Sequence, residues 1–439
     1  MEAHSEARLV IDRAVAAFEA WRKTTAYERA TILRRWHDLI LAHVDELARL
    51  IATEMGKPVT EARGEVRYAA SFVEWFAEEA KRAYGETIPS QFANKRLFVL
   101  KQAVGPVFAI TPWNFPAAMV TRKAAPALAA GCSFILKPAE QSPRTAIRLL
   151  ELWEDAGGPA DVFQIVTGDD PAAVSAPFLG DARIRKLTFT GSTAVGKMLY
   201  AQCAPTMKRM SLELGGHAPF LIFEDADIDA AVQAVVQAKF RNAGQTCVCV
   251  NRIYAHESIA GAFTARFGEA VRGLKVGDPL DESTQIGPLV NARAVEKVRA
   301  HVEDAVHKGA HVVLGGGVIK DLYFSPTILT HVTPGMRILE EETFGPVAPV
   351  ITFRSTGEAI ALANSTPYGL AAYLWTRDLT RAFGVSEAVE YGIVGVNDGL
   401  PSTAQAPFGG VKDSGIGREG GKWGLEEYLE VKYLSVALA

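Results

Sequence analysis

The sequence predicts an α/β protein built from more than one compact unit, on three observations. A chain of 439 residues exceeds what one hydrophobic core usually organises. Its balance of 49% hydrophobic to 22% charged residues belongs to a chain that buries such cores, not to a disordered or membrane-embedded one. From residue 104 onward, short apolar runs alternate with stretches of helical periodicity, and strands separated by helices imply parallel sheets.

Taken in order, the first eighty residues read as helix. Ile11, Val15 and Phe18 share one face, and Ile32, Trp36, Leu39 and Ile40 repeat the pattern until Gly56 and Pro58 of "MGKP" stop it. Residues 85–104, "GETIPSQFANKRLFVLKQAV", are rich in β-formers and broken by turn residues, which predicts a hairpin. "VGPVFAI" follows as a strand, with a helix from Pro116. The most apolar window, "AAPALAAGCSFIL" (124–136), is interrupted by Pro126 and Gly131 and is too short to cross a bilayer; it predicts a buried helix followed by a strand.

The next helix is marked by Ser142 at its N-cap and Pro143 in its first turn. Ala146, Leu149, Leu150 and Trp153 form its apolar face, and Gly157 follows its end. "DVFQIV" and "KLTFT" are strands, the second leading into another helix, and a further α/β region runs from about 215 to 407. The last fifteen residues, "LEEYLEVKYLSVALA", end in a strand. This strand and the 85–104 hairpin either pair with another subunit or complete the local sheet.

A formal net charge of −4, with basic residues scattered among acidic ones, gives no track for nucleic acid. "MEAHSEARLV" has neither a basic nor an apolar signal region, so the expected compartment is the cytoplasm. A reducing compartment disfavours a disulfide framework for Cys132, Cys203, Cys247 and Cys249, and no second close pair or histidine cluster completes a metal site. "NAGQTCVCVN" (242–251) therefore holds either core cysteines or a nucleophile.

Parallel α/β sheets bind ligands at the carboxyl ends of their strands, which here carry "TPWNFP", "KPAE" and "TGSTAVGK". The last (190–197) follows a strand and opens a helix, so its backbone N–H groups can face a phosphate. It is not a P-loop, because Met198 stands where Ser or Thr must ligate magnesium, and it lacks the second glycine of the dinucleotide fingerprint. Alone it is equally a plain strand-to-helix turn. Lys137 and Glu140 either hold ribose hydroxyls, the carboxylate repelling a 2′-phosphate, or form a surface ion pair.

Taken together, "TPWNFP", "LKPAE", "TFTGSTAVGK", "LELGG", "GQTC", "EETFGPV", "PYGLAAYLWTRD" and "PFGGVKDSGIGRE", in this order, resemble the aldehyde dehydrogenase superfamily over nearly the whole chain. "PWNFPAAMVTRKAAPALAAGC", "FRNAGQTCVCVNR" and "EYGIVGVN" are most similar to its NAD(P)-dependent succinate-semialdehyde dehydrogenases. The resemblance implies a Rossmann-type cofactor domain from residues 1–84 and 105–214 and an α/β catalytic domain from 215–407. It also implies a small β oligomerisation element from 85–104 and 408–439, and hence a homodimer or homotetramer. Relatives begin with strands preceding the helix that contains "AVAAFEAW", so differences are expected in oligomer packing and stability.

The resemblance also assigns roles. Cys247 is the nucleophile that forms a thiohemiacetal and then a thioester, in a site expected to favour the thiolate. Glu213 is the general base, and Asn114 is the oxyanion donor together with the Cys247 backbone N–H. Absent the resemblance, Asn114 reads as a helix cap. NAD is the implied cofactor, with NADP the alternative: Lys137 and Glu140 at the adenine ribose, Gly191, Ser192 and Trp113 at the pyrophosphate, Glu342 at the nicotinamide ribose with Phe344 beside it, and Thr111, Pro112 and Leu214 lining the site.

Arg122, Arg241 and Ser402 would hold the remote carboxylate of the substrate, unless either arginine pairs with a structural acid. Cys249 would be a redox partner of Cys247 or a small core residue, and no metal is implied. The alternatives are the same chemistry on glutarate semialdehyde or on a sulfonated or uncharged aldehyde, and a non-catalytic structural relative.

Overall fold

The computed structural model describes residues 2–438. Four helices come first: α1 (Glu2–Trp21), α2 (Ala26–Ala42), α3 (Val44–Met55) and α4 (Val59–Glu79). Thr25 and Glu28 form a reciprocal capping box that starts α2. Gly56 ends α3 in the left-handed region at φ +83°, where a Cβ would also lie 2.6 Å from the Pro288 ring, so both conformation and space demand glycine. Leu33, Trp36 and Ile40 of α2 are wholly buried, and Trp36 meets Trp153 edge-on at 5.7 Å.

The chain then makes the hairpin β1 (Glu86–Ile88) and β2 (Lys95–Ala103) before entering a parallel sheet. That sheet contains β3 (Val107–Ile110), β4 (Phe134–Lys137), β5 (Phe163–Ile165), β6 (Lys186–Thr190) and β7 (Arg209–Glu213). Its connecting helices are α5 (Ala118–Ala130), α6 (Pro143–Asp155), α7 (Pro171–Gly180) and α8 (Thr193–Cys203). The strand order β7-β6-β3-β4-β5 runs one way from β3 and then returns to its other side. A crevice therefore opens between the carboxyl ends of β3 and β6, where such sheets bind ligands.

Ser142 stands at the N-cap of α6 as expected, but its hydroxyl caps nothing. The carboxylate of Glu54, at the end of α3, accepts from the Arg144 and Thr145 backbone N–H groups at 2.6 and 3.0 Å. A charged acceptor from a neighbouring helix thus replaces the local cap, which the pattern of α6 alone could not reveal.

The second sheet is formed by β8 (Ala218–Ile222), β9 (Val250–His256), β10 (His311–Leu314), β13 (Thr327–Thr330), β14 (Val347–Phe353), β15 (Ala371–Trp375) and β16 (Ile393–Val396), with β11 (Val318–Lys320) and β12 (Tyr323–Phe324) as a separate small hairpin. Its order is β10-β13-β14-β9-β8-β15-β16, parallel except at the β10 edge. Every residue of β8 and β15 is buried, as a parallel sheet covered on both faces requires. Helix α9 (Ile228–Phe240) leads from β8 toward the "GQTC" segment.

The C-terminal region does two things. Gly415–Ile416, β17, adds antiparallel to the edge of β7, with Gly415 opposite Glu213. The final strand β18 (Leu429–Ala437) then pairs along the whole of β2, making a three-stranded sheet with β1. Among the described residues, no helix is long and apolar enough to cross a membrane.

Candidate active site

A cavity of about 570 Å³ lies between the helical layer and the second sheet, and Cys247, Arg122, Arg241 and Ser402 all line it. Helix α5 brings Arg122, the end of α9 brings Arg241, and the loop after β16 brings Ser402. Residues distant in sequence thus converge on one half-buried cysteine.

Cys247 follows a tight turn over Arg241–Gly244 in which Asn242 and Ala243 take left-handed φ values of +52° and +54°. Such a conformation costs a non-glycine residue about 1–2 kcal/mol, so the turn must be held by its surroundings. The Asn242 backbone N–H donates to Glu61 at 2.8 Å, and its side chain donates to the carbonyls of Asn114 and Gln245 at 3.1 Å each. Gly216 supports the far side: a Cβ there would sit 2.5 Å from the Cys247 carbonyl oxygen.

Burial pushes the Cys247 thiol up to about 12. Arg122 and Arg241 favour the thiolate, but Glu213 and Glu342 oppose it. The expectation of a site that favours the thiolate is therefore corrected for the free protein. Cys247 precedes no helix N-terminus, and desolvation outweighs both guanidiniums.

Glu213, the last residue of β7, is buried with both carboxylate oxygens free of hydrogen bonds. Burial, followed by the negative charge of Glu419, holds its carboxyl well above the ordinary range, although Arg122 and Lys123 pull the other way. Glu419 is itself lowered, because Lys123 and Arg122 outweigh the effect of its own burial. The two acids share one basic pair, Arg122 and Lys123, which lowers Glu419 while Glu213 stays raised.

Asn114 caps no helix. It is buried between β3 and α5, and its side-chain nitrogen donates to the Gln245 carbonyl at 3.1 Å, beside the cysteine loop. One of its two N–H hydrogens is thereby used and the other remains for a ligand.

The arginines differ. A carboxylate oxygen of Glu419 approaches the buried Arg122 at 2.9 Å without hydrogen-bond alignment, and the guanidinium lies 3.9 Å over the Phe408 ring. A structural acid thus partly occupies Arg122. Arg241 has no carboxylate within ion-pair distance among the described residues, and its Nε is enclosed without a partner. Tyr68 adds a third orphan to the same cavity: its hydroxyl is enclosed, has no partner, and its ring is fixed edge-on against Phe72 at 4.9 Å.

The residues expected at the cofactor lie around the crevice at the β3/β6 switch. Thr111, Pro112 and Trp113 continue from β3, and Trp113 meets Phe344 edge-on at 5.7 Å. Gly191 and Ser192 follow β6, and Ser192 caps α8 by accepting from the Val195 N–H. Leu214 packs beneath Gly196, where a side chain would collide with it, so α8 settles close to β7. Lys137 and Glu140 pair with each other at the end of β4, the carboxylate facing solvent. Glu342 accepts from the Gly216 N–H at 3.1 Å, and burial pushes its carboxyl up to about 7.

This crevice suits a dinucleotide. It combines a strand-order reversal, a helix N-terminus and an exposed carboxylate beyond β4, and Gly215 approaches so closely that a Cβ would lie 3.2 Å from Glu342.

Cys249 is buried and turned away from the cavity. Its sulfur accepts from the Lys239 ammonium at 3.4 Å. Sequence reasoning missed Lys57, a loop residue between α3 and α4, and Glu61, Glu65, Tyr68 and Lys123, which are ordinary helix residues until the fold turns them inward, and Glu419, which stood unremarked at the end of "PFGGVKDSGIGRE".

Comparison with known proteins agrees across the chain. The profile of the aldehyde dehydrogenase family matches residues 2–434. The chain is 54% identical to the succinate-semialdehyde dehydrogenase [NADP(+)] GabD of Escherichia coli, covering 99% of this chain and 90% of that enzyme. It is 53% identical to the glutarate-semialdehyde dehydrogenase of Pseudomonas putida, with the same coverage. The crystal structure of succinate-semialdehyde dehydrogenase from Burkholderia pseudomallei superimposes with a TM-score of 0.98 at 52% identity, over 99% of this chain and 90% of that one.

Proposed function

The chain belongs to the aldehyde dehydrogenase family, and from that premise we propose that it oxidises succinate semialdehyde to succinate, with NAD preferred over NADP. The observation that carries the substrate reading is the cavity that Cys247 shares with an unpaired guanidinium, Arg241. A carboxylate at the far end of a short aldehyde would satisfy Arg241, the free edge of Arg122, Ser402 and the orphaned Tyr68 hydroxyl while its carbonyl faces the cysteine. Glutarate semialdehyde is the second reading: a relative at 53% identity carries that name, and one methylene changes pocket affinity by only about 1–3 kcal/mol.

In the proposed mechanism the Cys247 thiol passes its proton to the Glu213 carboxylate as the sulfur attacks the aldehyde carbon. The free N–H of the Asn114 side chain and the Cys247 backbone N–H hold the developing oxyanion. A nicotinamide cofactor held in the β3/β6 crevice by the residues named below would supply the hydride acceptor for this oxidation. Glu213, having released the first proton to solvent, takes a proton from the water that attacks the Cys247 thioester and passes it to the departing sulfur, releasing succinate and restoring the thiol.

For the cofactor, Gly191, Ser192 and Trp113 would hold the pyrophosphate, and Lys137 with Glu140 the adenine ribose. Glu342, flanked by Phe344, would hold the second ribose, with Thr111, Pro112 and Leu214 lining the crevice. Glu140 supports NAD: it occupies Lys137 and sets a negative charge where a 2′-phosphate would sit.

On this reading the six-stranded sheet and the helical layer form the cofactor domain and the seven-stranded sheet the catalytic domain. The three-stranded sheet is the contact between copies. It exposes Phe98, Leu100, Val431 and Tyr433, the last two at 69% and 58%, which is costly for a free surface and suits a homodimer or homotetramer. Four free cysteines fit a reducing compartment, and the cytoplasm is the proposed one.

The test is kcat/KM for succinate semialdehyde, glutarate semialdehyde and butanal with each cofactor. The proposal expects a preference for the acids over butanal and for NAD. Equal rates with butanal would reject carboxylate recognition.

A further inference from the structure

The lysine of "MGKP" does more than follow a helix stop. Lys57 is 1% exposed, and each of its contacts reaches one short segment or the residue that braces it. Its ammonium donates to the Asn114 carbonyl at 2.8 Å, pairs with Glu65, and lies 3.6 Å over the Phe115 ring. Glu65, on α4, accepts in turn from the backbone N–H groups of Ala117 and Ala118 at 2.8 and 3.3 Å. The pair therefore grips residues 114–118 from both ends.

An ion pair this deeply buried is a poor source of stability, because desolvating both charges offsets most of their attraction, so its use must lie elsewhere. What it fixes is the peptide that carries the Asn114 side chain. The Asn114 carbonyl is tied to Lys57 and to the Asn242 amide at 3.1 Å, and the Asn114 amide is tied to the Gln245 carbonyl, two residues before Cys247. With the backbone and one N–H both fastened, the remaining N–H has a single direction.

We infer that Lys57, braced by Glu65, is a positioning residue that aims the Asn114 amide at the oxygen of the reacting aldehyde. The inference rests on the proposed oxyanion role of Asn114. Donors of this kind act through alignment, and a small tilt of the amide loses stabilisation in the transition state more than in the ground state.

The test is a double-mutant cycle in the full-length enzyme, with Lys57→Met/Glu65→Gln as one change, chosen because it removes both members of the ion pair together, and Asn114→Ala as the other. The expected result is a fall in kcat of at least tenfold for the paired variant with KM within about twofold, and no further fall when it is added to Asn114→Ala. A merely structural role would lower activity by the same factor in both backgrounds, and that result overturns the inference, as does a paired variant whose kcat stays within twofold of the parent. Should Asn114→Ala alone leave kcat unchanged, the oxyanion reading fails first and takes the inference with it.

Discussion

Arg241→Ala is the most informative single perturbation because the two arginines of the cavity are unequal. Arg122 already faces Glu419 and stacks on Phe408, so truncating it would leave a buried carboxylate with Lys123 alone and confuse binding with stability. Arg241 has no acid within ion-pair distance among the described residues, so its loss breaks no direct ion pair in the free protein. Truncating one partner of a buried charge pair costs about 2–5 kcal/mol, and the half-buried position of Arg241 favours the lower half of that range.

At about 1.4 kcal/mol per decade, 2–3 kcal/mol predicts a loss of roughly 30- to 150-fold in kcat/KM for succinate semialdehyde. The loss should appear in KM, because the carboxylate is held equally before and during reaction. The assay is the initial rate of cofactor reduction, run in parallel with butanal, whose KM should move less than about threefold by the same reasoning. An equal loss with both aldehydes, or a fall confined to kcat, would refute the reasoning, since it would mean that Arg241 supports the cysteine loop.

Tyr68→Phe should raise KM for the semialdehyde about tenfold, from about 1.5 kcal/mol for a hydrogen bond to a charged group, and thermal denaturation should show no lost stability because the hydroxyl has no partner to lose. Glu140→Ala removes the charge facing a 2′-phosphate and frees Lys137, so the NADP to NAD ratio of kcat/KM should rise about tenfold or more; an unchanged ratio counts against the assigned ribose site. Glu342 tests linkage. Its folded carboxyl is raised to about 7 from 4.5, so as pH climbs through that window the unfolded chain ionises freely while the folded one resists, and the fold loses stability. Glu342→Gln should therefore match the parent near pH 4.5 in denaturant titrations and exceed it above pH 7, by at most about 3 kcal/mol and less because the side chain is partly open to solvent.

Much of the molecule was legible in the sequence, and the limits are instructive. The alternation of apolar runs and helical stretches anticipated both sheets, because a buried parallel strand is apolar on both faces, as β8 and β15 are. The residues grouped at the cavity by the fold, Cys247, Arg122, Arg241 and Ser402, were all named from motifs. What pattern could not supply was pairing between distant segments. Glu54 caps α6 from a helix 91 residues earlier, and Lys57 looked like punctuation because nothing local reveals a partner at Asn114. The Cys247 thiol differs from expectation for a related reason: nearby arginines suggest a thiolate, but only the fold shows that burial outweighs them.

The antiparallel contact of Gly415 with Glu213 has a temporal meaning. Leu214 donates to the Ser414 carbonyl, and the Ser414 hydroxyl reaches back 199 residues to Gly215, so the walls around the base come from the middle and the late part of the chain. Phe408 and Glu419, which shape the arginine and tune the acid, emerge from the ribosome after all else the chemistry uses. A growing chain that has made Cys247 but not yet residues 408–419 thus lacks part of the enclosure in which the thiol sits. Enclosure of the base depends on a contact made across 199 residues, and it is complete only once that later segment has docked.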